Sequence, residues 1–193
     1  MKKIGITGGM GCGKSTVVAE FEKLGIPAFV ADRAGADCYR DPEFLSEVQK
    51  LLGDSIFLSD GNVDKRLIAA RVFADSKLLS GLNALVHPRV MDAFVRFCDR
   101  HSAAPYVLFE SAILYDYGFD RLMDSVITVY LSLDERLQRL ALRDGASRDE
   151  LLARIANQMP AEEMMHRADY VILNYEGNPR QRQVAYIDKM IRQ

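Results

Sequence analysis

The chain has 193 residues, 49% hydrophobic and 27% charged, with a formal net charge of −2. A chain of this length buries about 70% of its unfolded surface and needs no covalent or metal staple. So even a charge balance argues against a general nucleic-acid or membrane-surface binder, and any anion recognition has to be local. The cysteines, Cys12, Cys38 and Cys98, form no CxxC or Cys/His pair. That spacing argues for reduced thiols in a cytoplasmic protein, not for a disulfide frame or a zinc site. No apolar run is long enough to cross a bilayer.

In chain order, residues 4–7 read as a buried strand that enters a glycine-rich turn, and a helix follows over 15–24, stopped by Gly25. Residues 26–31 read as a second buried strand ending at Asp32. A helical region then runs over 33–101. Asp41-Pro42 opens one helix, with Pro at its first position, and Gly53 ends it. Residues 59–62, SDGN, form a turn, and 64–74 and 76–86 read as two more helices. Pro88 is expected to open a further one, with Val90, Phe94, Val95 and Phe97 on its apolar side.

Strands return at 106–109 and 126–131 as near-continuous apolar runs, the pattern of parallel strands covered on both faces. Helix 134–143 follows, and Ser147 with Glu150 predicts a capping box for a helix through 158. Residues 160–168 read as a short helix, 170–173 as a fifth strand and 178–192 as a closing helix. Strands and helices in this alternation predict a doubly wound, five-stranded parallel α/β sheet. The expected organisation is one domain over 1–193. Its core is about 1–32, 103–133 and 168–193, with a helical acceptor-binding region over about 33–102 and a lid over about 134–167.

The most informative stretch is KIGITGGMGCGKST, residues 3–16. Gly8, four residues, then Gly13-Lys14-Ser15 is the Walker A spacing, set between a strand and a helix as that motif requires. Glycines at 8, 9, 11 and 13 free the backbone to turn its N–H groups inward as an anion-binding nest. The start of the following helix adds unpaired N–H groups and a positive dipole end. The motif therefore implies a nucleoside triphosphate on Gly9, Gly11, Cys12, Gly13, Lys14, Ser15 and Thr16. Lys14 would reach the β- and γ-phosphates and Ser15 would ligate Mg²⁺.

Ligands of an open parallel sheet lie beyond the carboxyl ends of its strands. Asp32, at one such end, reads as the group that accepts or orients the proton of an attacking hydroxyl, or as the cap of the next helix. Glu110 reads either as a Walker B acid reaching Mg²⁺ or as a structural hydrogen-bond partner. Arg136, Arg139 and Arg143 share one helix face by spacing, and Arg154 and Arg167 follow. They read as a lid over the transferring phosphoryl group, or as solvated pairs with Asp134, Glu135, Asp144, Asp149 and Glu150. His87, before Pro88, reads as a packed loop residue. Cys12 reads as a small residue that fits the loop, or, because a helix start lowers thiol pKa, as a candidate for modification that blocks nucleotide binding.

Taken together, the chain resembles the dephospho-CoA kinase family over nearly its whole length. The resemblance rests on ITGGMGCGKS at 6–15, Ala31-Asp32, VDKRLIAARVF at 63–73, LNALVHPRV at 82–90, RLQRLALRD at 136–144, ARIANQM at 153–159 and ADYVILN at 168–174. It implies a P-loop kinase fold and transfer of the ATP γ-phosphate to the ribose 3′-hydroxyl of dephospho-CoA, the last step of coenzyme A synthesis. ATP and Mg²⁺ are then the cofactors and dephospho-CoA the small-molecule partner. No nucleic acid or membrane is implied, and the expected state is a monomer or small homo-oligomer. By resemblance Asp32 is the catalytic carboxylate, Lys14, Arg139 and Arg143 act in catalysis, Asn174 lies near the adenine, and Lys65, His87 and Glu110 are acceptor-side.

The chain departs from the common family pattern in carrying Val30 for the first acid at the end of strand two, Lys65 for an arginine, Ser111-Ala112-Ile113-Leu114 for a proline-leucine-leucine stretch after strand three, and Met164 for a lysine. Two competing readings use the same loop: another P-loop kinase for a nucleoside or sugar acid, and a nucleotide switch. The second has a formal DxxG at Asp32–Gly35 but no Asn-Lys-x-Asp guanine signature.

Overall fold

The computed structural model describes residues 1–53, 56–58 and 63–193. The predicted turn at 59–62 lies outside the described residues. The chain divides into two compact units, one of Met1–Val30 with Arg100–Gln193 and one of Ala31–Asp99.

The first unit is built on a five-stranded parallel sheet of β1 (Lys2–Thr7), β2 (Ala28–Val30), β3 (Tyr106–Glu110), β4 (Ser125–Tyr130) and β5 (Tyr170–Leu173). Their order is β2-β3-β1-β4-β5. β1 is central, with Ile6 opposite Glu110 of β3 and Thr7 opposite Thr128 of β4. Because every pair is parallel, the carboxyl ends of the strands share one edge, which is where ligands of such sheets bind.

Alternation along the strands explains how the sheet is covered. Ile4, Ile6, Tyr106, Leu108, Ile127, Val129 and Ile172 form one buried layer. It packs with Val17, Val18 and Phe21 of α1 (Lys14–Lys23) and Val184, Ile187 and Ile191 of α9 (Arg180–Ile191). Each such side chain contributes about 1.5–3 kcal/mol when fully buried, so this layer sets the sheet's position. Elsewhere in the same unit Phe109 stacks on Phe29 with ring centroids 5.6 Å apart. The edge strand β5 is closed by side chains: Leu173 donates its N–H to Gln183 Oε1 at 2.9 Å. Its carbonyl accepts from Gln183 Nε2 at 3.1 Å and Asn178 Nδ2 at 3.0 Å. Helices α6 (Leu133–Asp144), α7 (Arg148–Ile155) and α8 (Ala161–Arg167) complete the unit between β4 and β5. The Ser147–Glu150 capping box is present, but α7 ends at Ile155, short of the expected 158.

The second unit consists of α2 (Ala31–Cys38), α3 (Pro42–Leu52), α4 (Lys65–Ala74) and α5 (Ser76–Arg100, whose last residue belongs to the first unit). Asp41 caps α3 by accepting the Glu43 N–H at 3.0 Å, with Pro42 at the first helical position. Asp64 caps α4 through the N–H groups of Arg66 and Leu67, both at 3.0 Å. Phe44, Val48, Leu52, Ile56, Ile68, Val72 and Leu82 make its core.

Two expected boundaries differ. β2 stops at Val30, and Asp32 stands in the first turn of α2. Pro88 does not open a helix; it lies inside α5. Helix is favoured across the proline by the buried residues on both sides of it, Leu82 before and Val90 and Phe94 after. Arg89 adds to this by spanning its Nη1–H to the Leu85 carbonyl (3.1 Å), its Nη2 to Glu47 (2.9 Å) and its guanidinium to the Phe44 ring (5.2 Å).

An interior proline removes one helical hydrogen bond and costs about 3 kcal/mol. Pro88 is exposed. Pro88→Ala is therefore expected to raise the unfolding free energy by about 1–3 kcal/mol in urea titration. A loss of stability would show that the ring itself sets the path of α5.

Candidate active site

The sequence after β1 turns sharply because three of its glycines permit it. Gly8, Gly11 and Gly13 have φ of +148°, +81° and +88°, a region strained for residues with a Cβ. Gly13 is also the N-cap of α1 and supplies no side chain to it. The turn is closed by Cys12 N–H to Gly9 O (3.1 Å), and the helix starts with Thr16 and Val17 N–H to Gly13 O (3.1 and 3.2 Å). The amides of Gly11, Gly13 and Ser15 have no partner among the described residues. Unpaired N–H groups at the positive end of a ten-residue helix, beyond the carboxyl end of the central strand, make an anion cradle. Lys14 Nζ donates to the Gly8 carbonyl at 2.8 Å, so its ammonium stays on the loop. Ser15 and Thr16 are exposed at the helix start.

Two elements approach this loop closely. At the end of β5, Asn174 is 1% exposed, and its Nδ2 stands where a Cβ on Gly13 would be. Nδ2–H donates to the Cys12 carbonyl at 2.6 Å, and Oδ1 accepts from Arg180 Nη1 at 3.0 Å. Arginine is donor-only, so it fixes the oxygen on its own side and leaves the amide nitrogen for Cys12. The Asn174 carbonyl accepts from Arg139 Nη2 at 3.2 Å. The side chain expected near an adenine thus has both amide atoms engaged in supporting the loop. Arg180 carries no motif signal, because only the fold brings it to Asn174.

The second element is α6, whose arginines share a face by spacing but not an environment. Arg136 is 4% exposed, and its Nε–H donates to the Met10 carbonyl at 2.8 Å. Burial pulls its pKa below the usual guanidinium value. Arg139 is exposed and lies by Gly13 and Asn174. Arg143 is exposed and paired with Asp144 through Nε (2.6 Å) and Nη2 (3.1 Å), and Arg154 Nη1 joins the same carboxylate at 2.9 Å. The hydrogen bond from Arg143, then that from Arg154, hold Asp144 at about 2, well below an ordinary carboxylate. With a depressed folded pKa, these pairs are intact from neutral pH down through ordinary carboxylate values. They are lost only as pH falls through about 2. Arg167 sits over the Tyr115 ring at 4.5 Å and 3.6 Å from Asp120, an ion pair of the kind the sequence left open.

Cys12 differs from the expectation of a lowered thiol pKa. It is 1% exposed within the main core, and burial pushes the thiol up more strongly than Lys14 and Arg136 pull it down. Glu110 is buried at the end of β3, opposite Ile6 and Val30. Asp32, Lys65 and His87 belong to the second unit. Asp32 is exposed in α2, Lys65 lies over the Tyr39 ring at 5.2 Å, and His87 is half-buried in α5 with its pKa lowered by burial. Among the described residues no group of three or more His, Cys, Asp or Glu is placed to hold a metal. A metal at this loop would take the exposed Ser15 hydroxyl and ligand phosphates, the oxygen set that suits Mg²⁺.

Comparison with known proteins converges on one family. The family model described as dephospho-CoA kinase matches residues 2–179. The dephospho-CoA kinase of Bacteroides fragilis strain YCH46 is 37% identical over 178 residues, covering 92% of this chain and 86% of that protein. That of Chlorobaculum tepidum is also 37% identical over 178 residues, covering 89% and 85%. The crystal structure of TT1252 from Thermus thermophilus superposes with a TM-score of 0.90 at 33% identity, over 98% of this chain and 96% of that one. Shikimate kinase from Acinetobacter baumannii, at 17% identity and a TM-score of 0.55 over 99% and 93% of the two chains, shares the fold alone. The chain belongs to the dephospho-CoA kinase family, and its activity is the final step of coenzyme A biosynthesis.

Proposed function

We propose that this kinase moves the γ-phosphoryl group of ATP directly to the ribose 3′-hydroxyl of dephospho-CoA, without a phosphoenzyme, giving ADP and coenzyme A. The observation that carries this reading is the set of amides at Gly11, Gly13 and Ser15, around the start of α1, that have no partner among the described residues. Phosphoryl transfer asks little covalent chemistry of the protein; it needs positioning and charge stabilisation. Residues 11–16 hold the triphosphate, with Lys14 leaving the Gly8 carbonyl for the β- and γ-phosphates. Mg²⁺, when bound with the nucleotide, neutralises developing charge on the phosphate oxygens, and Ser15 is the side chain that would hold it.

On the acceptor side, Asp32 takes up or orients the proton of the 3′-hydroxyl, while Lys65, His87 and Glu110 bind the acceptor. Lid closure from about 134–167 excludes water. Arg139, already beside Gly13, supports the transferring group more directly than Arg143, which is engaged with Asp144. Asn174 lies at the nucleotide end of the site and keeps the loop in shape.

Asp32→Asn is expected to lower kcat by about 10²–10⁴, with ATP affinity nearly unchanged, in coupled ADP-release kinetics and calorimetry. A turnover number near wild type would remove Asp32 from the mechanism. Arg139→Ala should lower kcat by about 10³ or more, and more than Arg143→Ala does. Equal losses, or the reverse order, would overturn the assignment between the two arginines. ATP consumption measured with dephospho-CoA, with shikimate and with no acceptor tests the acceptor assignment: turnover should require dephospho-CoA.

A further inference from the structure

Met10 stands at the tip of the phosphate loop, and every part of it is held by the segment that follows β4. Its N–H donates to Gln158 Oε1 at 2.9 Å, and its carbonyl accepts from Arg136 Nε at 2.8 Å. Its side chain packs against the cluster of Leu137, Leu140 and Leu151, where α6 meets α7. Gln158 is itself placed by its N–H to the Ile155 carbonyl at 3.0 Å, in the turn that ends α7. The neighbouring glycines are as closely approached. A Cβ on Gly9 would fall on the Arg136 guanidinium, and one on Gly11 would lie 2.9 Å from Leu140 Cγ and 3.1 Å from the Arg136 carbonyl.

We infer that Arg136 and Gln158 are positioning residues for the nucleotide: they hold the two successive peptide groups that flank Met10 and so set the loop amides before the triphosphate arrives. The inference rests on the loop being the nucleotide site. The Met10 amide is already satisfied by Gln158 and is not available to phosphate, whereas those of Gly11, Gly13 and Ser15 are. Fixing one peptide on either side of a short turn restricts the dihedrals of its neighbours, and groups that are set in advance bind without an ordering cost. Arg136 suits the task because it is buried and forms no ion pair within 4 Å among the described residues, so no carboxylate competes for its Nε–H. Its charge also adds to the positive field of the cradle.

The test measures steady-state kinetics for both substrates in Gln158→Leu and Arg136→Met, with thermal unfolding as a check on folding. Each is expected to raise the KM for ATP about tenfold, the scale of one lost charge-assisted or buried hydrogen bond. The KM for dephospho-CoA should stay within about twofold. The double variant should lose less than the product of the two, since both fix the same residue of the loop. An unchanged ATP KM in a folded variant, or equal changes for both substrates, would overturn the inference.

Gly9→Ala probes the same clamp without removing either residue. The φ of Gly9 is not in the left-handed region, so its added Cβ acts by displacing the guanidinium. It should weaken ATP in the wild-type background and add little in Arg136→Met; a fully additive loss would show a direct clash with phosphate and refute the coupling. Lys14→Ala separates the two levels. If it leaves ATP affinity intact, the nucleotide-site reading fails; if it weakens ATP while the clamp variants do not, only the clamp fails.

Discussion

The constraint on which the site depends is the distance between a backbone turn and the side chains behind it. The cradle of the phosphate loop is made largely of backbone N–H groups, which no side chain of the loop itself holds in place, so its shape has to be imposed from outside. Asn174 reaches the Cys12 carbonyl and Arg136 the Met10 carbonyl. Neither could come so near if residues 9 and 13 carried a Cβ. The glycines thus serve twice, freeing the turn's dihedrals and admitting buttresses behind it.

Charge is arranged on the same principle. The chain is slightly acidic as a whole, yet Lys14, Arg136, Arg139 and Arg180 gather about the loop. Most of them are engaged with carbonyl or amide oxygens, not carboxylates, so their positive field is not cancelled locally. Farther along α6 and α7 the carboxylates reappear, and Asp144 holds Arg143 and Arg154 together. The change from carbonyl to carboxylate partners along one helix marks where the cradle ends and ordinary solvated surface begins.

Much of this was legible in the residues. The five strands follow from short apolar runs, and Walker A spacing between strand and helix identifies the loop without any knowledge of its surroundings. The helix starts at Asp41-Pro42 and Ser147 are local chemistry, so they could be read locally. Pro88 could not, because its tolerance in α5 depends on Glu47 and Phe44 of another helix holding Arg89. The three- and four-residue spacing of Arg136, Arg139 and Arg143 said nothing of which would be buried. That is decided by the position of Met10, more than a hundred residues earlier in the chain. Cys12 misled for a similar reason: the helix start suggested an acidic thiol, while the core enclosing it has the larger effect.

The far side of the sheet has a separate meaning. Exposed strand rims invite other chains to add themselves by main-chain pairing. At Leu173 the outward amide and carbonyl are already saturated by Gln183 and Asn178. A stray extended peptide would have to displace an internal glutamine to dock there. At that position the edge is made unreceptive to ribbon-to-ribbon self-association, through two uncharged amides and no added element.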